Sequence, residues 1–160
     1  MSATSYTRSQ RILHWVVFIM VVMQLSFANG MVEAFEAGME SGTLTPTARS
    51  LAHTFFGLVI LALVLWRLVL RVRVGHPAPP EGEPDWAQTL ATATHRLFYA
   101  VLIALPVTGL FAWGAASEGA GEIHELLKNI LIVMILLHIG AVVMHQFVWR
   151  TGLLSRMTGD

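Results

Sequence analysis

Four long apolar stretches separated by polar segments constrain this chain more than any other feature of its sequence. A helix needs about 20 apolar residues to cross a hydrocarbon core about 30 Å thick. The chain is 55% hydrophobic and 12% charged, whereas soluble domains carry about 25% charged residues. We therefore predict an all-α integral membrane four-helix bundle. It forms a single domain over residues 1–160, with transmembrane helices near 11–29, 48–74, 86–116 and 122–149.

The connections between the spans carry turn and capping signals. Residues 29–46 are rich in Gly and Glu and are predicted to form a loop, with Thr47 as the N-cap of the second span. Residues 75–84 contain four prolines and cannot be helical. Asp85 is the expected N-cap of the third span, and Pro106 is expected to kink that helix.

The first span has a second interpretation as a signal peptide cleaved near Ser26-Phe27-Ala28. Its apolar run is long for a signal peptide, and His14 lies one turn inside it. These two features favour a membrane helix.

Basic residues indicate how the bundle is oriented. Four spans put both termini on one side of the membrane. Only Arg49 and Lys128 fall on the other side, beside six glutamates. The remaining basic residues are on the terminal side: Arg8, Arg11, Arg67, Arg71, Arg73, Arg96, Arg150 and Arg156. The positive-inside rule then puts both termini in the cytoplasm, as for a multi-pass protein of the bacterial inner membrane. The net charge of zero indicates no nucleic-acid partner.

Histidine is the main candidate metal ligand. The chain has no cysteine, which excludes iron–sulfur clusters and thiolate sites. Six of its seven histidines lie in or at the ends of predicted spans. Ionisable side chains inside a membrane are costly and are usually functional.

The last span carries three of these histidines on one face. Fourteen residues separate His124 from His138, and seven separate His138 from His145. At about 100° per residue, these steps return to within about 40° and 20° of the starting direction. The longer gap rises about 21 Å, so imidazoles stand at two depths in the membrane.

The other histidines supply partners at both depths. His53 lies at the same side as His124, while His14 and His95 lie on the cytoplasmic side with His138 and His145. Two bis-histidine sites follow, and haem b suits them because its iron takes two axial imidazoles from facing helices. Depth alone does not choose between His138 and His145 as the partner of His14. Zinc is disfavoured because it prefers closer ligand spacing or a carboxylate, and the apolar centres of the predicted spans contain no carboxylate.

The whole chain resembles the bacterial cytochrome b561 family of four-helix dihaem membrane proteins, to which the haem subunits of nickel–iron hydrogenases are related. The residues that carry the resemblance are YTRSQRILHW, LAHTFFG, WRLVLRVRVGHPAPP, HRLFYAVLIALPVTGL and the final HQFVWR. The resemblance is greatest to the compact stand-alone members, among them superoxide oxidases.

This resemblance implies two haems b, one held by His53 and His124 and one by His14 and His138. It implies that His145 lies near a ubiquinone site on the cytoplasmic side. Because a quinone takes up two protons as it is reduced, we interpret His145 as a catalytic proton donor, with water near Arg150 as the proton source. For His95, a quinone pocket, a propionate contact and plain packing are comparable alternatives.

The expected activity is electron transfer across the membrane to ubiquinone, with superoxide as the donor that the resemblance implies. Arg49 and Lys128, each four residues from a histidine, are candidates for attracting this anion. One alternative is a haem-bearing membrane anchor that takes electrons from a periplasmic dehydrogenase or cytochrome. A non-redox membrane bundle is the second alternative. The sequence leaves the oligomeric state open.

Overall fold

The structure of the protein, a computed structural model, describes residues 5–80 and 82–159. It is built from helices. No β-strand occurs in these two ranges. The elements are α1 (Arg8–Ser26), α2 (Asn29–Ser41), α3 (Ala48–Val74), α4 (Asp85–Gly114), α5 (Glu118–Val143), a π-helical turn (Met144–Val148) and α6 (Ser155–Thr158). Four of them, α1, α3, α4 and α5 with its π-helical turn, are long and apolar enough to cross a membrane. The prediction of an all-α bundle with four membrane spans is therefore confirmed.

The segment after α1 is helical, so the prediction of a loop over residues 29–46 is wrong for most of its length. The helix α2 forms because Ala, Glu and Met, all good helix formers, dominate its sequence. Its glycines serve packing: Gly30 and Gly38 are buried together with Ala34. A Cβ on Gly30 would collide with the side chain of Arg49, and one on Gly38 would collide with Leu44. Close approach to Arg49 of α3 explains Gly30, and close approach to Leu44 in the connection before α3 explains Gly38.

The helix starts use side-chain caps where the sequence offers them. Thr47 caps α3 in a capping box with Ser50, as predicted, and Thr7 caps α1 in the same way. Pro84, rather than Asp85, is the N-cap of α4, and Asp85 is the first helical residue. Its carboxylate there still suits the positive end of the helix dipole.

The bundle core is apolar and draws on all four long helices. α4 packs mainly on α5, and α3 packs on both α1 and α4. Val64 is only 1% exposed. The core cluster consists of Val17, Val21, Ile60, Val64, Val101, Leu131 and Met134. Many large apolar side chains point outward, as expected for a surface that lipid covers.

Segments near the two chain termini lie at one end of the bundle, together with the connection between α3 and α4. Gln10 Nε2 donates to the carbonyl oxygen of Gly75 at 2.9 Å, and Arg156 Nη1 donates to that of Ala78 at 2.7 Å. Trp15 Nε1 donates to Met157 O at 3.2 Å. We call this side of the molecule the terminal face, and the other side, where α2 lies, the opposite face.

Candidate functional site

A pair of imidazoles from α3 and α5 lies toward the opposite face. The ring centroids of His53 and His124 are 6.3 Å apart. Metal–imidazole nitrogen bonds are about 2 Å long, so two imidazoles on opposite sides of one metal atom have centroids about 6 Å apart. The two rings are therefore spaced to hold a single metal atom between them.

Neighbouring groups orient this first pair. His124 Nδ1 lies 2.8 Å from the carbonyl oxygen of Leu105 and 3.3 Å from Thr108 Oγ1. Metal-binding histidines usually direct their second nitrogen to such a partner, which orients the ring. Gln24 Nε2 donates to the backbone oxygen of His53 at 2.8 Å, whereas the buried Nδ1 of His53 has no hydrogen-bond partner in the described structure.

The pair opens into a cavity of about 620 Å³. Ligand sites typically enclose about 300–1,000 Å³, so the space suits a cofactor the size of a porphyrin. Gly57 and Gly109 line it beside the two histidines, and a Cβ on Gly109 would lie 3.1 Å from the ring of His124. Phe35 of α2 closes part of the mouth and packs against α5.

A second pair of imidazoles, nearer the terminal face, joins α1 and α5. The ring centroids of His14 and His138 are 6.4 Å apart, close to the spacing of the first pair. His95 also contacts His138, with centroids 5.8 Å apart, and its Nδ1 lies 2.6 Å from the carbonyl oxygen of Ala91. The ring of Phe98 packs on His138 at 5.5 Å. The rings of His14, His95 and His138 thus form one cluster.

The two pairs stand at different depths along α5. Fourteen residues between His124 and His138 correspond to a rise of about 21 Å. Within residues 5–80 and 82–159, no group of three or more His, Asp or Glu side chains is arranged to hold a metal ion. Tetrahedral zinc takes four ligands, whereas a haem iron takes its remaining ligands from the porphyrin. The pair of His53 and His124, with the large cavity beside it, therefore fits haem.

His145 lies apart from both pairs, in the π-helical turn after α5. Its Nδ1 is 3.0 Å from Thr151 Oγ1, and its Nε2 is 3.5 Å from a carboxylate oxygen of Glu83. The side chains of His145 and Glu83 are only 10% and 4% exposed. Sequence reasoning missed both partners, because residues 75–84 offered only a proline-rich connection with no signal that it folds back onto α5.

Of the remaining predicted site residues, Arg49 and Arg150 are exposed, whereas Lys128 is partly exposed and lines the cavity beside His124. Arg150 is exposed and has a left-handed backbone, with φ of 52°. Lys128 Nζ lies 3.1 Å from Glu125, and Arg49 lies 4.0 Å from Glu33. Both cations expected to attract an anion are therefore next to a carboxylate. Further acidic residues line the cavity near its mouth: Glu36, Glu40, Glu118 and Glu122.

The fold and the paired imidazoles define a class of protein, the membrane cytochromes that hold haem between helices. Comparison with known sequences identifies the family. The pattern of the prokaryotic cytochrome b561 family matches residues 5–160. The chain belongs to this family and is therefore a membrane protein that binds haem b and transfers electrons.

Three curated relatives align along most of the chain. Cytochrome b562 of Cereibacter sphaeroides is 30% identical over 152 residues, which cover 95% of this chain and 94% of the relative. Cytochrome b561 homolog 1 of Escherichia coli K12 is 22% identical, covering 95% and 96%. Probable superoxide oxidase CybB of Yersinia pestis is 26% identical, covering 91% and 90%.

Proposed function

We propose that the protein carries electrons across the bacterial inner membrane through two haems b and delivers them to ubiquinone. His53 and His124 would hold one haem, and His14 and His138 the other. The observation that carries this proposal is the equal spacing of the two imidazole pairs, 6.3 and 6.4 Å, at two depths of one bundle. The haems supply the redox chemistry, and the chain sets their positions and their access to solvent.

Charge asymmetry supports the proposed orientation. Eight arginines belong to the terminal face or its adjoining helix ends, whereas the opposite face carries Arg49, Lys128 and six glutamates. By the positive-inside rule the terminal face is cytoplasmic. The cluster of His14, His95 and His138 then lies on the cytoplasmic side, where ubiquinone would be reduced.

Three residues on the side of the terminal face would contribute to the quinone site: His95, His145 and Arg150. Reducing a quinone to a quinol takes two electrons and two protons, so a titratable side chain beside it is useful. His145 would donate a proton, with Arg150 nearby at the surface. His95 contacts His138 directly, which supports a position between the quinone and the haem ligand.

Superoxide is the leading candidate for the electron donor, because the chain aligns with a probable superoxide oxidase over 91% of its length. An anion approaching the opposite face needs local positive charge. Arg49 and Lys128 would supply it, each one helical turn from a proposed haem ligand.

The charges around the cavity favour a second candidate donor. Glu33 and Glu125 are the partners of Arg49 and Lys128, and more glutamates line the mouth of the cavity. An acidic surface of this kind complements a basic partner. The second candidate function is therefore a membrane haem protein that takes electrons from a periplasmic dehydrogenase or cytochrome.

The proposal is tested by a redox difference spectrum with a quantitative haem assay on the purified chain, followed by mixing the reduced protein with ubiquinone. We expect two haems b per chain and their reoxidation by the quinone. One haem per chain would contradict the pairing of the histidines, and no haem would favour the non-redox bundle.

Gly109→Ala is expected to disturb the haem nearer the opposite face, because the new Cβ would lie 3.1 Å from the ring of His124. The displaced ring should broaden the spectrum of that haem or lower its occupancy. Gly114→Ala is the matched control in the same helix, since no atom lies within 4 Å of its Cβ position. Equal spectra of the two variants would argue against a site at His124.

A further inference from the structure

A buried chain of polar contacts runs from the α3–α4 connection to the segment after α5. The carboxylate of Glu83 faces one ring nitrogen of His145, and the hydroxyl of Thr151 faces the other. We call these three residues the Glu83–His145–Thr151 triad. Thr151 is hydrogen-bonded to one ring nitrogen and Glu83 lies 3.5 Å from the other, so a quinone could reach the ring directly only by displacing one of these two neighbours.

The backbone on both sides holds the triad in place. Gln88 Nε2 donates to the backbone oxygen of Glu83 at 2.9 Å, which ties the connection to the start of α4. Thr151 N donates to the backbone oxygen of His145 at 3.0 Å, so the chain turns back over the end of α5. The edge of Trp149 packs on the imidazole with ring centroids 4.6 Å apart. Turns of π-helix occur often at functional sites.

The burial of Glu83 calls for a chemical explanation. Its side chain is 4% exposed, and a carboxylate removed from water is costly unless it is paired. A carboxylate beside an imidazole stabilises the positive charge when the ring takes up a proton, and it orients the ring so that the other nitrogen points outward. In the triad that outward nitrogen is Nδ1, which meets Thr151.

We propose that Glu83 is a positioning residue for His145 and that Thr151 passes the proton of His145 to the quinone. This inference rests on the proposed function. In the protonated ring, Nε2–H points to Glu83 and Nδ1–H donates to Thr151 Oγ1. The Nδ1–H bond breaks as the threonine oxygen takes that proton, and the threonine releases its own hydroxyl hydrogen to an oxygen of the reduced quinone. The imidazole becomes neutral and regains a proton from cytoplasmic water.

The balance of the step follows from quinone chemistry. One quinone accepts two electrons from the protein and two protons, so the relay operates twice for each quinol. The hydroxyl of Thr151 both accepts and donates, as the step requires. In the neutral ring with Nε2–H toward Glu83, this hydroxyl donates to Nδ1 at 3.0 Å. Once the ring is protonated and Nδ1–H is the donor, the hydroxyl hydrogen has the backbone oxygen of His145 at 3.4 Å as its neighbour, so it can turn toward a stronger acceptor.

The test follows reoxidation of the reduced, haem-loaded full chain by a short-chain ubiquinone in a rapid-mixing spectrometer. Glu83→Gln keeps the shape and a polar contact but removes the charge, and Thr151→Val keeps the shape but removes the hydroxyl. Since acid–base catalysis contributes about 10²–10⁴-fold, we expect each variant to slow the maximal rate by roughly tenfold or more. The quinone concentration for half-maximal rate and the haem content should not change. Thr151→Ser restores the hydroxyl and should restore the rate.

The outcomes distinguish the proton relay, in which His145 passes a proton through Thr151 to the quinone, from the proposed function of quinone reduction. Wild-type rates in both Glu83→Gln and Thr151→Val, with a slow His145→Ala variant, would overturn the relay and leave quinone reduction intact. A Thr151→Ser variant as slow as Thr151→Val would mean that Thr151 is structural and would also overturn it. If Glu83→Gln loses haem, the two Thr151 variants decide the result. If quinone fails to reoxidise the wild-type protein, the proposed function itself is wrong.

Discussion

Replacing His53 or His124 with alanine is expected to reduce the haem content from two per chain to one. Each variant leaves a single imidazole where the pair now has centroids 6.3 Å apart. The single remaining imidazole would hold the haem weakly, because the polar groups of Leu105 and Thr108 beside His124 are oxygens, which bind haem iron less well than imidazole does. His14→Ala or His138→Ala should remove the other haem. Haem extraction with a protein assay measures the ratio, and the redox difference spectrum tells which haem is lost.

His76→Ala is the matched control for these variants. His76 lies in the α3–α4 connection, where its Nδ1 is 3.0 Å from the backbone oxygen of Pro77, and it belongs to neither pair. It should keep both haems. Full haem content in His53→Ala or in His124→Ala would show that the assumed ligands are wrong. Loss of both haems in every variant would mean that the two sites fold as one unit.

Replacing Glu33 and Glu125 together with glutamine is expected to speed the reduction of the haems by superoxide at low salt. The change frees Arg49 and Lys128 from the carboxylates 4.0 and 3.1 Å away. Electrostatic steering raises association rates by about 10–10³-fold, so two freed charges should give roughly a tenfold increase. The effect should shrink as salt rises, because the screening length is about 10 Å at 0.1 M. Rapid mixing with superoxide, followed at the haem absorption, measures the rate.

Arg49→Gln with Lys128→Gln is the opposite change and should slow the same reaction. Because Glu125 and Lys128 line the cavity beside His124, the haem content of each double variant is measured together with its rate, and rates are compared per haem. A rate that does not depend on salt or on either pair of substitutions would exclude steering of an anion. With a basic protein as the donor, the order of the rates would reverse: the double variant of Glu33 and Glu125 would be reduced more slowly than the double variant of Arg49 and Lys128.

The membrane spans and the depths of the histidines could be predicted because both follow from local periodicity. Apolar stretches of fixed length predict the spans, and a rotation of about 100° per residue puts His124, His138 and His145 on one face. Depth left two partners open for His14. In the structure the ring of His14 faces His138, whereas His145 contacts Glu83 and Thr151.

Features that depend on contacts between distant segments could not be predicted in this way. The carboxylate of Glu83 reaches a buried position only because the α3–α4 connection folds back, and a proline-rich sequence does not encode where it lands. The helix α2 was missed for another reason. Its glycines suggested a loop, but Gly30 packs closely against Arg49 of α3 and Gly38 against Leu44 of the connection before α3, and most residues between them are good helix formers.

Because α2 borders the cavity but carries none of the paired histidines, access to the cavity and the spacing of the imidazole pairs depend on different helices. The cavity beside His53 and His124 is bounded on one side by spanning helices and at its mouth by Phe35 and other residues of α2. A membrane disfavours polar residues on the lipid-facing sides of the spans, whereas α2 is not among the helices long and apolar enough to cross a membrane. Substitutions in α2 can therefore change which molecules reach the cavity while the imidazole pairs keep their spacing. On the electron path proposed above, related chains would acquire new donors through changes in α2 without changes at the two histidine pairs.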